Sequence, residues 1–197
     1  TNDSTERIDA KNINTIQETI NNHESDTNII KDEAFQERIY TIFQNNLYAN
    51  AMFLDTYKNG NYIDMTQTNN IAMNQQLFNI SLTKEKINGT ITRSRIYSVH
   101  GERVELNDFF LITNHYIPTG ASIKYYLKLM TGERYPISPN ALKTPLHLSK
   151  NLEYGFYLVA ELTANALGES PIINGYSILY WDAQVEIDLG MTNPDLQ

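Results

Sequence analysis

The sequence predicts an α+β chain ordered by segment, with an N-terminal α-helical arm followed by an all-β sandwich or jelly-roll domain. From Ile13 to Ala34 apolar residues recur at steps of three and four, and after Leu77 short β-prone runs alternate with Gly, Pro and Asn. The third observation is compositional: 197 residues with 41% apolar and 19% charged side chains call for a packed core rather than a disordered chain.

The arm covers residues 1–56. Its seam runs Ile13, Ile16, Ile20, His23, Thr27, Ile30 and Ala34, with Asn, Gln, Glu and Lys filling the remaining positions. So narrow a stripe suits helices packing on one another along parallel axes, whereas a helix lying on a globular core shows a wider apolar face. Self-association follows as the expectation, with the homotrimer as its first form. His23 and Thr27 dilute the seam, and Ser25-Asp26-Thr27-Asn28 reads equally well as a loop capping a second helix. A second apolar face then appears at Phe35, Ile39, Ile42 and Phe43, extended by Leu47 and Phe53, so the helical reading continues to about residue 54.

Asn59-Gly60 in the run Tyr57–Tyr62 is a turn signal that ends the helical region. Residues 57–76 read as a linker, polar and aperiodic from 63 onward, and residues 77–190 as the sandwich, with 191–197 as a tail. Eight strands are expected: Leu77–Thr83, Gly89–Val99, Arg103–Thr113, Ser122–Met130, Leu146–Leu148, Gly155–Thr163, Tyr176–Tyr180 and Trp181–Leu189. In the last, Trp181, Ala183, Val185, Ile187 and Leu189 alternate with Asp182, Gln184, Glu186 and Asp188, which predicts one buried and one wet face.

Charge and composition remove several function classes. The balance of 15 Lys and Arg against 23 Asp and Glu gives a net charge of −8, the wrong sign for a general nucleic-acid binder. No run approaches the roughly 20 apolar residues of a membrane span. With zero Cys there are no disulfides and no thiolate chemistry. Nucleophile-elbow, phosphate-loop, zinc-protease and dinucleotide fingerprints are all missing, so no catalytic residue is assigned, no cofactor is expected and the chain reads as a non-enzyme. His23, His100, His115 and His147 are dispersed, and no metal site is assigned. Asp182, Glu186 and Asp188 share a strand face that reads as solvated rather than as a Ca²⁺ site.

The 13 Tyr residues are more informative, because a phenol offers a flat apolar face and a polar tip to a sugar ring or a partner surface. Tyr116, Tyr126 and Tyr154 are the candidate glycan or partner contacts, against the plainer reading of Tyr as half-buried sheet filler. Tyr125 and Tyr126 are adjacent on a strand and point to opposite faces, so at most one belongs to the core.

Two segments carry a family resemblance. The run Ile8-Asp9-Ala10-Lys11-Asn12-Ile13-Asn14-Thr15-Ile16-Gln17-Glu18-Thr19-Ile20 resembles the short helical stems near the N-termini of phage tail-fibre and baseplate proteins. The stretch Gly155–Asn165, followed by Glu169–Trp181, is similar to the C-terminal β-sandwich modules of such proteins, in which a strand leads through a Ser-Pro turn into the last strands. The resemblance implies a virion or phage-tail-like extracellular particle component, usually trimeric, with other particle subunits as partners and a galactose-binding-like or related sandwich. It transfers no site residues. The rival reading is a carbohydrate-binding module for host-surface glycan; a cell-wall hydrolase ranks third for want of catalytic spacing.

Overall fold

The computed structural model describes residues 29–58, 60–96, 106–148 and 155–182. Ile13, Ile16, Ile20, His23 and Thr27 of the seam, Tyr154, and the strand expected beyond Asp182 lie outside them.

The described chain is mostly antiparallel β-structure with one short helix, α1, over residues 29–45. Nine strands follow: β1 Ala51–Asp55, β2 Ile71–Asn74, β3 Asn79–Leu82, β4 Asn88–Thr92, β5 Leu106–Tyr116, β6 Ser122–Leu129, β7 Arg134–Pro136, β8 Phe156–Thr163 and β9 Ile172–Asp182. They form two sheets. In the first, β9 is central, pairing along one edge with β5 and along the other with β1 and then β3, which carries β2. The second runs β4-β8-β6-β7.

Period-two alternation directs one face of each sheet inward. Phe109 and Leu111 of β5, Tyr125, Leu127 and Leu129 of β6, Phe156, Leu158 and Leu162 of β8, and Ile173, Tyr176 and Ile178 of β9 share one buried cluster. Phe109 meets Phe156 edge-on at 5.1 Å, an aromatic contact across the two sheets. The turn from β5 to β6 closes through a bond from the Ala121 amide to the Pro118 carbonyl, with Gly120 at φ +82° where a side chain would be strained. The outer edge of β5 is covered by the segment 137–148, bridged at Leu111–Pro139 and Phe109–Leu146.

Several expectations are corrected here. Among the described residues no long N-terminal helical arm is shown: helix ends at residue 45, and Ala51–Asp55 is strand β1, so Phe53 belongs to a sheet rather than to a helix face. The described helix does not stand clear of the β-structure either. Phe35 and Ile39, with Ile42 and Phe43 beside them, pack on Phe110, Ile112 and Leu179, the outward residues of β5 and β9. Gly175 permits this approach, because a Cβ there would lie 3.0 Å from the Asp55 carbonyl and 3.2 Å from the Phe35 ring.

Residues 63–76, expected as linker, carry β2 and the bridges Ile63–Arg93 and Asn69–Thr90. Leu146–Leu148 is not a strand; it contributes a single bridge to β5. Tyr176–Tyr180 and Trp181 belong to one strand, β9, which begins at Ile172. Trp181 is buried as expected, but Asp182 beside it is 0% exposed rather than wet. The main chain of Asp182 is held by Asn50, whose amide donates to its carbonyl at 2.9 Å and whose oxygen accepts its N–H at 2.7 Å.

Candidate functional site

A cleft of about 660 Å³ opens between α1 and the adjoining ends of β3, β5 and β9. Lys31, Ala34, Phe35 and Arg38 share one helix face by spacing and form a wall. The floor and far wall come from Leu77, Phe78 and Asn79 at the β2–β3 turn, from Asn114, His115 and Tyr116 ending β5, and from Asn174 of β9.

Local backbone irregularity positions these side chains. The β5–β9 register passes from Asn114–Gly175 to His115–Ile173, so a bulge leaves Asn174 without a cross-strand partner. Phe78 sits at φ +48°, a left-handed conformation unusual for an aromatic residue, with the Lys58 ammonium 5.9 Å from its ring centre.

Asp32 also lines the cleft but is committed to the fold: it pairs with Lys58 and accepts from Gln36 Nε2 at 2.8 Å. The His115 ring lies flat on Tyr125 at 6.0 Å, with Nδ1 3.0 Å from both the Thr113 and Tyr125 hydroxyl oxygens. Burial holds its pKa below the ordinary 6.5, so the ring is an uncharged imidazole at neutral pH. Tyr116 is 61% exposed at the rim. A free aromatic face beside several amides can stack on a ring while bonding its hydroxyls.

The candidate tyrosines are not gathered into one patch. Tyr116 lies in the cleft, whereas Tyr126 is half-buried on β6 of the other sheet, its ring 5.8 Å from the Arg134 guanidinium that bonds Glu161 at 2.6 Å. Tyr125 is the core member of its pair, at 4% exposure. Of the seam residues Ile30 and Ala34 are described, and both are exposed, Ala34 in the wall of the cleft. Sequence reasoning missed Lys31, Arg38, Asn79, Asn114 and Asn174. The two cations sit in an ordinary helix pattern, and single Asn residues carry little signal in an Asn-rich chain.

Two further polar clusters lie within the β-structure. Arg93 is buried between the sheets, its guanidinium 3.3 Å from the Phe53 ring centre and 5.1 Å from that of Tyr62. Burial lowers its pKa, opposed by Tyr176, Asp55 and Tyr62; burial raises that of Asp55, opposed by the Tyr57 amide and the Arg93 charge. Burial likewise pushes the phenols of Tyr57 and Tyr176 well above their ordinary range. Asp55 Oδ2 and Arg93 Nε have no hydrogen-bond partner among the described residues. In the second cluster Asp108, at φ +53° in the β5 bulge, holds His147 Nδ1 at 2.9 Å and so ties the 137–148 segment to its strand. A carboxylate orienting an imidazole is also two of the three members of a hydrolytic triad.

Among the described residues no three His, Asp or Glu side chains gather as a metal site, and no helix is long and apolar enough to cross a membrane. Compared with known proteins, the chain matches no family model and no curated protein.

Proposed function

We propose that the chain is a structural subunit of a phage tail, baseplate or related contractile particle, built on a β-sandwich or jelly roll and joined to its neighbours through the segment that leads into α1. The observation that carries this reading is the division of the helix surface. Phe35 and Ile39 are buried on the sheet at 5% and 0% exposure, while Ile29 and Ile30 remain 38% and 64% exposed. Ile30 continues the stripe that begins at Ile13, and apolar residues spaced at three and four along a polar helix gain stability from a second helix. The two runs that resemble tail-fibre and baseplate proteins support the same assignment. Decoration of tail-like particles by an antibody raised against the chain tests it: label at the tail or baseplate is expected, and label confined to unassembled protein would reject it.

A second reading, glycan binding, has its own support in Tyr116, which stands exposed over a cleft lined with amides. The two readings are compatible, since a particle subunit can carry a receptor site. They fail separately, because particle labelling does not depend on sugar binding.

A further inference from the structure

We propose that the cleft between α1 and the ends of β3, β5 and β9 binds an acidic saccharide, with Tyr116 stacking on a sugar ring and Arg38 and Lys31 holding its carboxylate or phosphate. The inference rests on the glycan reading above and adds the ligand's charge.

The electrostatics of the lining carry the argument. Three charged side chains line the cleft: Lys31, Asp32 and Arg38. The negative one is neutralised within the fold by Lys58, whereas neither cation is engaged in an ion pair among the described residues. The uncommitted charge is therefore positive, in a chain whose net charge is −8. Overall repulsion reduces the encounter rate with an anion but falls off within roughly a Debye length of 10 Å, whereas a guanidinium in contact acts at hydrogen-bond range. Its planar fork matches a carboxylate or phosphate with two parallel bonds.

The rest of the lining suits the uncharged part of a sugar. Tyr116 presents a ring at the rim, and Asn79, Asn114 and Asn174 offer donors and acceptors for hydroxyl groups. His115 adds a neutral imidazole, locked by Thr113 and Tyr125. The volume, about 660 Å³, falls within the range of small-ligand pockets.

Isothermal titration calorimetry on the full chain tests the proposal with three probes: trigalacturonate, a glucosylated glycerol-phosphate oligomer and neutral cellotriose. The first two distinguish a carboxylate from a phosphate source. Saturable binding of at least one acidic probe is expected, about tenfold or more tighter than cellotriose and weakened by salt. Tyr116→Ala and Arg38→Gln should each weaken it about tenfold with the melting temperature unchanged, while Tyr40→Ala, exposed but outside the cleft, leaves it intact. Cellotriose binding as tightly as either acidic probe would overturn the charge assignment and leave the glycan reading standing. Failure of all three probes to saturate, or binding indifferent to both cleft variants, would overturn the proposal and the glycan reading together.

Discussion

At the scale of single residues, charged groups and aromatic rings share the space between the two sheets. Arg93 and Asp55 would ordinarily be read as solvated, yet both lie between the sheets. Their burial is tolerable because each supplies the other with opposite charge and because two aromatic rings face the guanidinium. Arg93→Ala would leave Asp55 as a buried carboxylate without that compensation, and a destabilisation of about 3–5 kcal/mol is expected in chemical denaturation. A loss below about 1 kcal/mol would show that the charge is compensated elsewhere.

His115 makes a prediction about pH. Because burial lowers its folded pKa below 6.5, the unfolded chain takes up the proton first as pH falls. Its contribution to stability is therefore present above about 6.5 and is lost on acidification toward the folded pKa. Melting temperatures measured from about pH 7 to pH 5 should decline less steeply in His115→Gln than in the parent chain; equal slopes would contradict the assignment. None of this was legible from the sequence, which shows His115 as one dispersed histidine and cannot reveal that Thr113 and Tyr125 close around it.

At the scale of elements, periodicity identified most strands and misjudged what covers them. β6 and β8 follow their expected runs closely because one face of each is buried and the other carries Lys124, Lys128, Tyr157 and Glu161. β9 breaks the pattern. It is buried on both faces along its second half, inward through Tyr176 and Ile178 and outward through Leu179, because α1 lies on the outer face. The alternation read from Trp181 to Asp182 assumed that Asp182 faces water, whereas it follows Tyr176, Ile178 and Tyr180 on the inward side and Trp181 follows Leu179 on the outer one. Omission of the cover on that outer face placed the helix in a free arm, although its face of Phe35, Ile39, Ile42 and Phe43 already had the width of a helix lying on a core.

Two consequences can be measured at this scale. Ile39→Ala, at a position with 0% exposure, should cost about 2–5 kcal/mol in the unfolding of the whole β-structure. An unchanged transition would mean that the helix is only loosely applied. A fragment beginning at residue 77 should fail to unfold cooperatively, because it lacks β1 and β2 and uncovers Phe110, Ile112 and Leu179. A sharp melting transition from that fragment would show that the two-sheet core needs neither helix nor β1.

At the scale of the whole molecule, the helix carries two surfaces of different character, one buried on the sheet and one exposed. One helix face fixes α1 to the sheet and so builds the wall of the cleft. Ile29 and Ile30 lie exposed at the described start of the helix and continue toward the seam read in residues 13–27. The narrow repeat was legible because a period of three and four needs only sequence; the cleft was not, since its lining comes from four separate stretches that only the sheet topology brings together.

The measurement that tests this division most directly is the mass of the full chain by light scattering, with Ile30→Asp as comparison. A discrete oligomer, a trimer in its simplest form, is expected at micromolar concentration. Ile30→Asp should dissociate it while leaving the melting temperature of the β-structure near that of the parent, because a charge buried between helices costs several kcal/mol whereas one on a solvent-facing position of a lone helix costs little. A parent chain that stays monomeric at high micromolar concentration, indistinguishable in mass from Ile30→Asp, would contradict it.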